Sequence, residues 1–227
     1  IKAAAELSEY VIMPIELINN NVISLVNTDR LIISPPRFIS DEEKLISRLM
    51  ELKIAGLKRI FCHTPDSIAI GKKLGFKLHG SSTLNVCNSY AAEKIRSLGL
   101  EDCTFSFEAK LSRLDDIRTP LPLGAAVYGH LPLMLTRNCP IKNEVGCKNC
   151  TGQLIDRMGK CFPVICSKDY TEILNPDILC MTDKQLPESI SFGLVMLTDE
   201  NEEQTRRILS GERPDGTLTR GLYYRGI

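Results

Sequence analysis

Cysteine is the residue type in this chain with the greatest capacity for chemistry. Nine cysteines occur among 227 residues, and six of them fall between positions 139 and 180. The densest set is Cys139, Cys147, Cys150 and Cys166, with the spacing C-x7-C-x2-C-x15-C. A C-x2-C pair lets two thiolates reach one metal from a tight turn, and two flanking thiolates complete a four-sulfur shell. Such a shell suits a tetrahedral zinc ion or a 4Fe–4S cluster, and the spacing does not choose between them.

The remaining cysteines fall into two groups. Cys161 lies within the same segment and could replace Cys166 as the fourth ligand. Four others lie in or beside apolar segments and are expected to be buried small hydrophobes: Cys62, Cys87, Cys103 and Cys180. Basic residues near the first group favour ionised thiolates there: Lys142, Lys148, Arg157 and Lys160. We therefore expect metal or cluster binding between residues 139 and 166.

Four other residues are candidates for catalysis because they follow or end predicted strands. They are His79, Asn85, Glu108 and His130. Residues at the carboxyl ends of parallel strands face the functional side of an α/β barrel. The alternative for each is helix capping or loop hydrogen bonding. The chain contains no Gly-x-Ser-x-Gly elbow, no His-Glu-x-x-His helix and no phosphate-binding loop.

Alternating strand and helix patterns must position these residues. Short apolar runs predict strands at 31–35, 59–63, 77–86 (broken), 104–107, 124–128 and 191–197, and Val11-Ile12-Met13 could supply another. Helical spacing predicts helices that start near Ser40 and at 65–74, 89–98, 111–117 and 200–210. This alternation is typical of a parallel α/β sheet. A complete barrel needs eight strands, so we predict a TIM-barrel-like, partial β/α barrel.

The segment after Tyr128 differs from the preceding one in composition and in hydrophobic pattern. Residues 131–166 are dense in Gly, Pro, Asn and Cys and lack a clean period, which predicts a loop-rich insert at the end of a strand. We expect residues 1–30 to lead in from a preceding domain of a longer protein. Residues 31–227 would then form one β/α domain, with the Cys-rich insert at 131–168.

Composition excludes several classes of protein. The chain has 28 basic and 28 acidic residues and is 43% hydrophobic, which is ordinary for a globular protein and argues against wholesale disorder. No apolar run approaches the roughly 18–20 residues of a membrane span. An odd number of cysteines in a chain of this size fits reduced thiols and a cytoplasmic location better than a disulfide framework.

Several segments, taken in order, resemble the collagenase-like peptidase family U32, and they look most like the C-terminal part of its long members. The segments are Thr83–Ser89, Thr104–Glu108, Val127–Met134, Asn138–Ile141, Asp156–Gly159, Phe162–Val164, Thr219–Gly221 and Arg225–Gly226. The resemblance implies a TIM-barrel-like fold in which Cys139, Cys147, Cys150 and Cys166 hold an iron–sulfur cluster. It also implies one of two activities: peptide hydrolysis, or oxygen-independent hydroxylation of an RNA base or a quinone ring.

Three positions depart from the family pattern. His130 stands where the family commonly has Arg, Ser81 where it often has Asp, and Leu222 where its closing motif has His. These departures favour a supporting role for this chain over a catalytic one.

Three hypotheses follow. The first is an iron–sulfur protein segment that supports hydroxylation of a ribosomal or transfer RNA base. Residues near the C-terminus could form a basic groove for it, and the alternative is a solvated helix face and tail: Arg206, Arg207, Arg213, Arg220, Tyr223, Tyr224 and Arg225. The second is a peptidase acting on peptide or collagen, with Ser81, Cys139 or Cys161 as nucleophile and His79 or His130 as base. The third is a zinc-stabilised binding module without catalysis.

Overall fold

A curled sheet forms the body of the protein. The computed structural model describes residues 1–225, so Gly226 and the end of the predicted domain 31–227 lie outside the described residues. The strands in chain order are β1 (Val11–Pro14), β2 (Leu31–Ser34), β3 (Arg59–Cys62), β4 (Lys77–Gly80), β5 (Leu100–Thr104), β6 (Leu123–Gly129), β7 (Pro132–Thr136), β8 (Gln153–Ile155), β9 (Cys161–Cys166), β10 (Thr171–Leu174), β11 (Ile178–Cys180), β12 (Phe192–Val195) and β13 (Leu218–Thr219). Nine of them form the main sheet, and β7 to β10 form a second one.

The main sheet has the topology of an incomplete barrel. Its parallel strands follow the order β1-β2-β3-β4-β5-β6-β12, one strand short of the eight in a complete β/α barrel. β11 joins β6 in the antiparallel direction and pairs in parallel with β13. The predicted partial β/α barrel is therefore confirmed.

Helices pack against this sheet, apart from α6, which lies in the segment of the second sheet. The helices are α1 (Lys2–Leu7), α2 (Asn20–Leu25), α3 (Glu42–Ile54), α4 (Pro65–Lys73), α5 (Ser89–Ser97), α6 (Pro140–Val145) and α7 (Glu202–Leu209). Side chains of Asp41 and Thr64 accept hydrogen bonds from the first turns of α3 and α4, which fixes where those helices begin. Apolar residues of α3 to α5 pack with Ile33, Ile60 and Leu78 of the strands in one buried core.

The first and last helices bring the two ends of the described chain together. α1 packs against α7. A salt bridge of 2.7 Å joins Glu6 to Arg206 across this contact. Residues 1–30 also contribute β1, which pairs with β2 over four residues. The described N-terminal residues are thus integrated with the main sheet.

Three sequence-based assignments need correction. The strand predicted at 104–107 ends at Thr104: the N–H of Phe105 still donates to Gly124 of β6, but that of Ser106 donates to the carbonyl of Val86 instead. The helix predicted at 111–117 is a 3-10 helix at Leu111–Asp116. The segment predicted as loop-rich contains α6 and an antiparallel sheet of order β7-β10-β9-β8 that continues to Leu174. Its strands are three to six residues long and interrupted by Pro and Cys, so they carry no clean alternation.

A partly buried histidine lies where β2 and β3 end. His63 Nε2 is 2.9 Å from Ser34 Oγ, its ring packs edge-on against Phe61, and its Nδ1 atom is buried without a hydrogen-bond partner among the described residues. Burial, and secondly the charge of Arg37, lowers the pKa of His63 to about 3. The imidazole is therefore neutral at physiological pH.

Gly129, the last residue of β6, has no room for a side chain. Its φ of 118° is a conformation that disfavours other residues, and a Cβ atom there would collide with the backbone oxygen of Met196. Gly129→Ala should lower the free energy of unfolding by about 3 kcal/mol or more, because left-handed strain and overpacking add. Gly159→Ala is the matched control: φ is 79° but no atom lies within 4 Å of the added carbon, so the cost should be about 1 kcal/mol. Equal losses in urea unfolding of the two variants would contradict the assigned packing.

The low pKa of His63 should make stability fall in acid. The unfolded chain takes up a proton near the ordinary histidine pKa of about 6.5, whereas the folded chain resists it until about pH 3. The free energy of unfolding should therefore decrease between those pH values, by at most about 1.4 kcal/mol per pH unit from this group. His63→Gln should remove this contribution, so urea unfolding between pH 7 and 4 should show a shallower pH dependence than in the parent. Parallel curves would mean that His63 titrates normally.

Candidate metal centre and the carboxyl-end cavities

The four cysteines singled out by spacing line one cavity of about 270 Å³. Cys139 immediately precedes α6, Cys147 begins a 3-10 turn that ends before Cys150, and Cys166 is the last residue of β9. The second sheet and its connecting helix therefore bring together residues that are up to 27 positions apart in sequence. The cavity lies beyond β6, at the carboxyl end of the parallel strands, where barrel enzymes place their sites.

The thiols are gathered but not tightly packed. Cys139 Sγ and Cys166 Sγ are 3.9 Å apart. Among residues 1–225, no three metal-binding side chains are arranged closely enough to hold a single ion.

Cys161 does not share this cavity. Its side chain is exposed and lies near the carbonyl of Gly159 at the start of β9. Residues 161 and 166 are an odd number of positions apart on one strand, so their side chains leave opposite faces of the sheet. Of the two candidates for the fourth thiol, Cys166 is the one that lines the cavity.

Hydrogen-bond donors and cations around the cavity favour negative charge on some of its sulfurs, whereas burial opposes it at Cys166. Backbone N–H groups of Lys142 and Gly152 donate to the sulfurs of Cys139 and Cys150 at 3.5 Å and 3.4 Å. The Lys142 N–H lowers the pKa of Cys139, whereas burial is the main cause that raises the pKa of Cys166. Three cations line the cavity, Arg137, Lys142 and Lys168, and no acidic residue is among its described lining residues.

Of the basic residues expected near the thiols, only Lys142 lines the cavity. Lys148 lies on the 3-10 turn between Cys147 and Cys150, and Lys160 forms a salt bridge of 2.8 Å with Asp177. The other two cations that line the cavity are Arg137 and Lys168, which the sequence analysis did not single out.

Polar contacts attach this cysteine-bearing sheet to the loop that follows β2. Arg37 forms a salt bridge with Glu172 of β10. Ser40 Oγ donates to Asp169 at 2.7 Å, and the Arg137 guanidinium lies 5.0 Å from the centre of the Phe38 ring. The cavity is thus held against the carboxyl end of the main sheet by contacts that the sequence did not indicate.

A second cavity, of about 430 Å³, lies beyond the carboxyl ends of β4 and β5. It brings together two of the predicted catalytic residues, Asn85 and Glu108. Its other lining residues are Cys87, Ser106, Ala109, Lys110, Arg113 and Arg225. Lys110 and Arg113 were missed by sequence reasoning, whereas Arg225 was expected in a basic groove near the C-terminus.

The two predicted catalytic histidines lie elsewhere. Arg59 Nη1 donates to His79 Nε2 at 3.1 Å, and His79 Nδ1 donates to Asp102 Oδ2 at 2.8 Å. His79 is buried, whereas Arg59 and Asp102 are partly exposed. His130 Nδ1 lies 2.6 Å from the carbonyl oxygen of Asn175. Neither histidine lines either cavity.

The residues considered for peptide hydrolysis are not assembled into a nucleophile and base. Ser81 is buried, and its hydroxyl contacts Thr83. Within residues 1–225, the hydrogen bonds of His79 and His130 go to Asp102, Arg59 and the Asn175 carbonyl, and none joins them to Ser81, Cys139 or Cys161.

The basic groove predicted near the C-terminus is wrong in its main members. Arg206 forms salt bridges with Glu6 and Glu202, Arg207 with Glu212 and Asp215, and Arg220 with Asp183. Tyr223 is buried, with its hydroxyl donating to the carbonyl of Ala126. Sequence shows the charges of these residues but not the carboxylates that neutralise them.

Residues 1–225 contain no helix that is long and apolar enough to cross a membrane. Among curated proteins, none matches the chain. A family model does match, over residues 37–215. The match covers β3 to β12 together with both cavities apart from Arg225. With the curled sheet and the ordered motifs described above, it shows that the chain belongs to Peptidase family U32.

Proposed function

We propose that this chain holds a 4Fe–4S cluster and supports oxygen-independent hydroxylation of an RNA base. The observation that carries the proposal is the convergence of Cys139, Cys147, Cys150 and Cys166 on one cavity at the carboxyl end of the sheet. Four thiols selected by spacing alone would not meet at one place if they were unrelated structural residues. The exposed Cys161, in the same segment, stays outside that cavity.

The choice of a cluster over zinc rests on the family resemblance and not on the arrangement of the thiols. All four thiols border one space of about 270 Å³. Sulfurs bound to one zinc ion lie roughly 3.8 Å from each other. Cys139 Sγ and Cys166 Sγ are 3.9 Å apart, so this pair also suits zinc. Arg137, Lys142 and Lys168 offset the charge of four thiolates.

The donor set favours redox chemistry over hydrolysis. A cluster held by four cysteines supplies electron transfer, and N–H donors such as those of Lys142 and Gly152 tune its potential. Hydrolysis of a peptide needs an activated nucleophile or a metal with an open position. The described residues offer no paired nucleophile and base, so the geometry does not favour the peptidase alternative.

Positive charge around the cavities supports an RNA substrate. The cysteine cavity has three cations in its lining, and the second cavity has three more, all beyond the carboxyl ends of β4 to β6. Phosphate groups supply most of the affinity of a protein for nucleic acid, and they are attracted to such surfaces. The RNA would therefore approach this end of the sheet rather than the neutralised arginines near the C-terminus.

Replacing one cavity thiol should remove the cluster. In protein purified without oxygen, we expect iron and sulfide in a ratio of about four each per chain and a broad visible absorption band. Cys150→Ser should lose both, because the oxygen of serine is a poor replacement for a thiolate ligand. Cys161→Ser is the matched control and should retain both, since that thiol is outside the cavity. Tightly bound zinc without iron, or equal loss in the two variants, would contradict the proposal.

Hydroxylation of RNA should depend on the same thiol. RNA from anaerobic cells that express the parent chain, digested to nucleosides, should contain a nucleoside with one added oxygen atom. Mass spectrometry should find it in cells with Cys161→Ser but not in cells with Cys150→Ser. Unchanged nucleosides, together with cleavage of gelatin by the purified protein, would favour the peptidase alternative instead.

A further inference from the structure

The second cavity carries an excess of positive charge that no salt bridge within residues 1–225 compensates. Its ionisable lining residues are Glu108, Lys110, Arg113 and Arg225, together with the Cys87 thiol. Among residues 1–225, no acidic side chain forms a salt bridge with Lys110, Arg113 or Arg225. The contrast with the paired arginines of α7 indicates that these three cations are available to a ligand.

Local structure places two of the cations side by side. Lys110 immediately precedes the 3-10 helix at Leu111–Asp116, and Arg113 lies within its first turn. A 3-10 helix has three residues per turn, so side chains three positions apart lie one above the other. The Arg113 N–H donates to the Lys110 carbonyl at 3.0 Å, which fixes this turn.

A buried tyrosine fixes the position of the third cation, Arg225. The Tyr223 hydroxyl donates to the Ala126 carbonyl of β6 at 3.0 Å, and the Tyr223 carbonyl accepts the N–H of Leu111 at 2.9 Å. Arg225 then closes a turn by donating its N–H to the Leu222 carbonyl at 3.0 Å. The C-terminal turn is thus bonded both to the sheet and to the 3-10 helix, and Arg225 is held beside Arg113.

One lining residue of the cavity has a strained backbone. Asn85 has φ 54° and ψ 39°, and it is the one residue other than glycine with positive φ in the described part of the chain. Such conformations cost free energy and cluster at ligand sites. The side chains of Asn85 and Glu108 add hydrogen-bond acceptors to the lining that holds the three cations.

We infer that this cavity binds a phosphate monoester, with the phosphate on Lys110, Arg113 and Arg225 and the remainder of the ligand toward Asn85 and Glu108. A phosphate monoester carries about −1.5 to −2 charges at pH 7 and three acceptor oxygens. The three cations outnumber the one carboxylate, so the lining has the excess of positive charge that such a group needs. Each guanidinium group can also donate two parallel hydrogen bonds to phosphate oxygens. The inference rests on this cavity alone and holds whatever group the cysteines bind.

Calorimetric titration of the whole chain with inorganic phosphate tests the inference. We expect saturable binding that Arg113→Gln and Arg225→Gln each weaken by about tenfold or more, as loss of a charge-assisted hydrogen bond does. Arg213→Gln, a change of the same type at an exposed arginine outside the cavity, should leave binding unchanged. Glu108→Gln should strengthen binding, because it removes the one carboxylate from the lining.

Further titrations distinguish the sources of the phosphate. Tighter binding of a nucleoside 5′-monophosphate than of ribose 5-phosphate would identify a nucleotide ligand, and equal binding would identify a phosphorylated metabolite. Absence of saturable binding by all three probes would overturn the inference, as would equal weakening by Arg113→Gln and Arg213→Gln. Circular dichroism of each variant keeps loss of folding separate from loss of binding. The iron content of the cysteine cavity reports independently on the proposed function.

Discussion

Hydrogen bonding of β6 on both of its edges is the constraint on which the rest of the structure depends. β6 pairs with β5 and β11 along the chain of strands and with β12 beside that path. The close pairing needs glycine at position 124, where a Cβ would collide with the ring of Phe192, and at position 129, where it would collide with the backbone oxygen of Met196. At these two positions of β6 the absence of a side chain leaves room for the neighbouring segment.

The parts of the fold that were predictable are those with strong local signals. The runs around Ile32 and Phe61 are continuous and apolar, as expected for parallel strands buried on both faces. The helix starts predicted near Ser40 and at residue 65 are close to those of α3 and α4, which Asp41 and Thr64 cap. The strands of the second sheet were not predictable, because their pairing partners are distant in sequence and their exposed faces break the alternation. Thr136, for example, lies opposite Thr171.

The residues of the candidate sites were also predictable only in part. Cysteine spacing identified a set that converges, because a C-x2-C turn is a local feature and Cys139 and Cys166 flank it. Asn85 and Glu108 were selected as strand-end residues and do meet, since the strands they follow are neighbours in the sheet. His79 looked equivalent in sequence, yet Asp102 and Arg59 hold it inside the sheet. Which strand-end side chains reach solvent depends on cross-strand partners that no single segment reveals.

The antiparallel pairing of β11 with β6 has a consequence for how the chain can vary. Leu179 lies opposite Gly129, so the cysteine-bearing sheet leaves the main sheet and returns to it at adjacent points. A segment whose two ends are already neighbours adds little loop-closure entropy when its length changes, since that entropy grows only with the logarithm of loop length. The length of the segment between Gly129 and Leu179 can therefore change at little cost in entropy. The register of the main-sheet strands beneath it need not change with it.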